Sequence, residues 1–156
     1  MVKRIVLFMS IVLASGILFA NVYTSVVDAT SWGSNIPESL HAARTYFKVV
    51  DPGTFFKMVG PLNQVLTLLA VILCWKPVPS ARIYLLTALG CCILMYVLTF
   101  TYFYPRNAIM FEGGTDPAVM SEAWSQWNAM NWVRSLIIFV GVCASCVALD
   151  KVYLNQ

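Results

Sequence analysis

The chain has 156 residues, of which 60% are hydrophobic and 11% charged, with a formal net charge of +3. Soluble domains average about 45–50% apolar and about 25% charged residues, so this composition excludes an ordinary water-soluble fold and predicts an integral membrane protein. The basic residues are scattered rather than blocked, which argues against a nucleic-acid partner, and the length suits a single membrane domain over residues 1–156.

Residues 5–27 form the first predicted spanning helix. Lys3 and Arg4 precede it, as in a signal peptide. The apolar run exceeds the roughly 7–15 residues of a signal h-region and Leu18 to Ala20 is a poor cleavage site, so the helix is read as retained. A polar connection follows over residues 28–57. Within it Leu40, Ala43, Phe47 and Val50 recur at helical spacing, predicting a short amphipathic helix that Asp51, Pro52 and Gly53 end. Such a helix can lie on the membrane surface or close over the bundle as a lid.

The second spanning helix covers residues 59–75 and is short, with Gly60 and Pro61 near its start. A basic, proline-punctuated turn from Lys76 to Arg82 leads to the third, residues 83–104. Gly113, Gly114 and Thr115 mark a loop, Asp116 and Pro117 a helix start, and the fourth spanning helix covers residues 123–149. The expected fold is all-α: a four-helix transmembrane bundle with a long first extracytoplasmic loop that carries a short amphipathic helix. Lys3, Arg4, Lys76, Arg82 and Lys151 flank the side of the termini, and every acidic residue except Asp150 falls in or beside the two long loops. Basic short flanks stay inside, which predicts cytoplasmic termini in a plasma or inner membrane.

All four helices carry polar side chains at the outer end. Asn21, Thr24, Ser25 and Asp28 share a face of the first, and Asn63 and Thr67 lie one turn apart in the second. Tyr96, Thr99, Arg106 and Asn107 close the third. Trp124, Asn128, Asn131, Arg134 and Ser135 open the fourth within an arc of roughly 120°. Polar groups without partners cost several kcal/mol in hydrocarbon, so these side chains are expected to face one another around a shared cavity. Pro105 also leaves the carbonyl at position 101 without its helical donor. Simpler roles exist for single members. Arg106 can snorkel to phosphates, the tryptophans at 124, 127 and 132 can form an interfacial belt, and Asn63 can join two helices.

His41 is the only histidine and no ligand pair surrounds it, so no metal site and no cofactor are expected. Cys143 and Cys146 match Cys-x-x-Cys but lie in the inner apolar half, where small packing residues are the better reading. The remaining chemistry is a pocket of amides, hydroxyls, aromatics and guanidinium, suited to a planar or anionic organic molecule. Arg134 can stabilise an oxyanion or enolate there. Asp28 and His41 are the nearby base candidates.

Pro105, Arg106 and Asn107 closing the third helix, followed by Trp127, Asn131 and Arg134 at i, i+4 and i+7, make the chain resemble the anthrone oxygenase-like (DUF1772) family of small four-helix membrane proteins. The resemblance implies that Asn107, Trp127, Asn131 and Arg134 line the functional site, and that the chemistry is oxidation of anthrones without a recognised metal or flavin. On that basis Arg134, Asn131 and Asn107 are the expected catalytic residues. Asn21, Asn63, Tyr96, Arg106, Trp124, Trp127 and Asn128 are the expected substrate-binding ones. The expected partners are membrane lipid and an aromatic or quinone-like small molecule, with a homo-oligomer or a membrane complex as further company. The alternative function is a non-catalytic subunit, or lipid- or quinone-binding partner, of a larger assembly. Small residues Ala14, Ser15, Gly16 and Ala20 in the first helix would serve its contacts.

Overall fold

The structure is a computed structural model that describes residues 1–112 and 116–155. The expected loop at Gly113, Gly114 and Thr115 lies outside the described residues. Helix α1 (Val2–Tyr23) passes through a π-helical turn, Thr24–Asp28, into the short α2 (Ala29–Trp32). Helix α3 (Glu38–Tyr46) crosses to α4 (Pro52–Cys74). A 3-10 turn, Pro79–Ala81, leads into α5 (Arg82–Leu98), which runs through a second π turn, Thr99–Phe103, into α6 (Tyr104–Phe111). Helix α7 (Pro117–Leu154) closes the chain, and among the described residues there is no strand.

Four rods are long and apolar enough to cross a membrane, of 31, 23, 33 and 38 residues. The chain is therefore a multi-pass membrane protein with an all-α bundle fold. At a rise of about 1.5 Å per residue, the first, third and fourth rods run about 46–57 Å, well beyond a hydrocarbon core of about 30 Å. The helices thus continue past the points where hydropathy falls, because their backbone bonding needs no apolar side chain. Two signals do set helix starts. Asp51 Oδ1 accepts from Thr54 N at 2.7 Å and from Thr54 Oγ1 at 2.9 Å, so the Asp-Pro-Gly sequence begins α4, whereas α3 already ends at Tyr46, short of the expected Val50. Asp116 Oδ1 accepts from Ala118 N at 2.7 Å ahead of Pro117, the start that sequence predicts.

Neighbours in sequence are neighbours in space. The packed pairs are α1 with α4, α4 with α5, α5 with α7, and α7 with α1, an up-and-down ring. At the end holding the termini, Leu7, Ala70, Val71, Cys74, Val78, Ala81, Leu85, Ala148 and Val152 form one core. Its alanines let the rods approach closely. At the distal end Ala29, Trp32, Leu40, Phe103, Met110, Met120, Ala123 and Trp127 form a second.

Helix α4, with 23 residues, is at least eight shorter than the other rods, and α3 covers the distal end beside it. Leu40 is fully buried in the distal core, with Ala43 and Phe47 packed against it. Ser39 Oγ donates to Trp32 O, and Arg44 Nη1 donates to Glu112 O at 3.1 Å. Of the two placements open to the amphipathic helix, the structure has the one that covers the bundle. Cys143 and Cys146 are exposed on the outer face of α7 rather than packed between helices.

Candidate functional site

A cavity of about 680 Å³ lies at the distal end, between the start of α4, the π turn and α6, with α3 above and α7 behind. Arg134 sits at its inner wall, only 8% exposed. The guanidinium carbon lies 4.0 Å from the Phe103 ring centroid and 5.7 Å from that of Phe56, so a cation faces two aromatic rings.

What holds this arginine is an amide network between α1 and α7. Arg134 Nη2 donates to Asn131 Oδ1. Asn131 Nδ2 donates to Asn21 O at 3.2 Å and Ser25 Oγ at 2.6 Å. Asn21 Nδ2 returns the bond, donating to Asn131 O at 3.2 Å and to Ser135 Oγ at 2.7 Å. Each asparagine thus donates to the other's backbone carbonyl across the helix pair. Both donor hydrogens of Asn131 and its carbonyl oxygen are engaged. It is fully buried and does not line the cavity, so it positions Arg134 rather than touching a ligand.

Several polar atoms at the cavity have no partner in this network. Asn21 Oδ1, Tyr96 Oη, Trp127 Nε1 and Arg134 Nε are buried and unbonded, and all four residues line the cavity. Buried polar groups are ordinarily paired, so four orphans around one cavity are unusual. They are an acceptor, two N–H donors and a hydroxyl, each covered by neighbouring atoms rather than open to the cavity. Trp127 is held edge-on against Trp32 at 5.4 Å and Phe103 at 5.6 Å. Tyr96 reaches toward α4, where only the missing side chain of Gly60 admits it: a Cβ there would lie 2.8 Å from the hydroxyl. Asn107, on α6, also lines the cavity.

The structure therefore brings together Asn21, Tyr96, Asn107, Trp127 and Arg134, with Asn131 behind them, and sets the other expected residues apart. Arg106 turns aside. Its Nε and Nη2 donate to Gln126 Oε1 at 3.0 and 2.8 Å, and its guanidinium covers the Tyr102 ring at 3.4 Å, a brace between α6 and α7. Trp124 donates from Nε1 to Ala29 O at 2.7 Å and lies flat on Gly33, where a Cβ would come within 2.1 Å of the indole. Asn128 is half-buried outside the cavity. Asn63 lines a separate void of about 20 Å³ with Ser10, Thr67 and Cys92, space for a single water. Of the base candidates, His41 is exposed and neither it nor Asp28 lines the cavity. The carboxylates at the wall are Asp51 and Glu112, near Lys57 and Arg44 at the polar rim. Phe56, Phe103, Trp32 and Phe47, the aromatic walls, carry no polar signal that sequence reading could have caught.

The fold and cavity define a small, multi-pass, all-helical membrane protein with a buried cation, Arg134, in an aromatic-walled chamber. The family model of Anthrone oxygenase matches residues 53–144, and the chain belongs to that family. The matched stretch spans α4 to most of α7 and contains Tyr96, Asn107, Trp127, Asn131 and Arg134, while Asn21 lies before it. No curated protein and no solved structure matches the chain.

Proposed function

We propose that this protein is a membrane-embedded oxygenase of the anthrone type, acting on a flat aromatic ketone bound in the distal cavity. The observation that carries the reading is the Arg134 guanidinium, held from behind by Asn131 and lining an aromatic-walled cavity. Loss of a proton from the methylene carbon of an anthrone puts negative charge on its ketone oxygen. A preorganised guanidinium in a low-dielectric site stabilises that charge far better than water does. The carbanion then meets dioxygen. One oxygen atom ends as the new ring carbonyl, the other leaves as water with the two methylene hydrogens, and no further reductant is required.

In this reading Arg134 holds the oxyanion, and Asn21 and Trp127, which also line the cavity, flank it. Asn107 contacts the far edge and Phe56 and Phe103 cover the rings. Asp51 and Glu112 are the carboxylates from which the proton acceptor is drawn. The charge pattern of the loops supports cytoplasmic termini and, with them, an outward-facing cavity.

The test is turnover of anthrone by purified, bilayer-reconstituted protein, followed by anthraquinone absorbance and oxygen uptake. Arg134→Ala is expected to lower kcat by about 10²–10³, the usual loss for one oxyanion donor, with helicity retained. Undiminished turnover in that variant removes the mechanism. Binding of anthrone without turnover in the unmodified protein favours the alternative, a non-catalytic ligand-binding subunit.

A further inference from the structure

The α5 side of the cavity wall also faces outward. Phe100 lines the cavity yet is 58% exposed, and Tyr104, one turn on, lines it and is 41% exposed. Tyr96, Phe100 and Tyr104 form a continuous ladder: Tyr96 stacks on Phe100 at 6.4 Å, and Phe100 meets Tyr104 edge-on at 5.1 Å. Opposite them on α4 stands Pro61, also both exposed and cavity-lining. Among the described residues α4 packs along α5, but no comparable packing joins it to the π turn or to α6. The two rods therefore part toward the distal end, and Tyr96 Oη against Gly60 forms the sill of the gap.

Centring the 33-residue rod on a hydrocarbon core of about 30 Å puts this gap at lipid depth. Phe100 lies eleven residues before Phe111, about 16 Å down the rod, and its outward neighbour Val97 is also apolar and exposed. An exposed aromatic lip at that depth faces acyl chains, not water. The polar rim, with Arg44, Asp51, Lys57 and Glu112, lies instead at the α3 end.

We propose that the ligand reaches Arg134 sideways from the hydrocarbon layer, through the gap between α4 and α5, with Phe100 as the side chain that must swing aside. The inference rests on the cavity being the substrate site. It narrows the substrate class to uncharged, bilayer-dissolved polycycles that acquire charge only after reaching the guanidinium. A molecule already ionised in water would have to cross an apolar lip that offers it no partner.

The probe is anthraquinone, added to protein in lipid nanodiscs and followed by stopped-flow quenching of tryptophan emission, since Trp32 and Trp127 both line the cavity. Phe100→Ala is expected to raise the association and dissociation rates together, by about threefold or more, while Kd moves less than about twofold, as for a gate rather than a contact. Phe100→Leu should fall between. Rates that respond to Lys57→Ala and not to Phe100→Ala overturn the lateral route and leave the site standing. No binding by the unmodified protein removes the site, and the route with it.

Discussion

Asn131 and Asn63 are both asparagines buried in apolar helices, yet the structure assigns them opposite weights. Asn131→Leu keeps the branching of the side chain and removes the acceptor of Arg134 Nη2 and the donors to Asn21 O and Ser25 Oγ. A hydrogen bond to a charged group contributes about 1.5–3 kcal/mol. Each of the two neutral bonds inside a membrane protein contributes about 0.6 kcal/mol. The expected destabilisation is thus about 3–4 kcal/mol. Asn63→Leu removes one long contact, 3.5 Å from Nδ2 to Cys92 Sγ, together with an Oδ1 that has no partner. Replacing an unsatisfied acceptor by an apolar group is close to neutral, within about 1 kcal/mol. Reversible denaturant unfolding in mixed micelles, read by far-ultraviolet circular dichroism, measures both. Equal losses for the two variants, or less than about 1 kcal/mol for Asn131→Leu, would refute the view that the amide network anchors the guanidinium.

Two further expectations concern the distal cover. Gly33→Ala places a methyl group against the Trp124 indole and should break its bond to Ala29, costing about 1–3 kcal/mol and red-shifting tryptophan emission; an unshifted spectrum with unchanged melting speaks against it. Asp51→Ala removes the cap of α4 and should cost about 1 kcal/mol, seen as a lower Tm; Asp51→Asn, which can still cap, should recover most of it.

Sequence reading reached the cation and several of its neighbours because polar side chains in apolar helices stand out at once. Asn21, Tyr96, Asn107, Trp127 and Arg134 were visible for that reason, and helical spacing put the last two on one face. Spacing cannot say which polar group is already satisfied. Asn131 sits on the same stripe as Arg134, but its amide is consumed by α1, a fact that depends on how two helices pack. Asn63 lies at the right end of its helix but a layer deeper, beside Thr67 and Ser10, whose hydroxyls meet at 2.8 Å. Arg106 reads like a site residue until Gln126, twenty positions away, is seen to hold it. The aromatic walls were illegible because a phenylalanine lining a void and one filling a core look alike in sequence. Helix ends extend past the hydropathy boundaries for a related reason: hydropathy marks where lipid is expected to stop, whereas α4 and α7 begin where the capping Asp51 and Asp116 precede a proline.

The two π turns, Thr24–Asp28 and Thr99–Phe103, each hold one residue more than an α-helical register allows. Everything beyond them is phased by that surplus. Excising a single residue from the second would leave an unbroken helix, yet it would swing Asn107 and all of α6 round the axis by about 100°, the angular step of one α-helical residue. The chamber's far wall is thereby encoded by counting as much as by chemistry, so a one-codon deletion there could blind the site without touching a polar side chain.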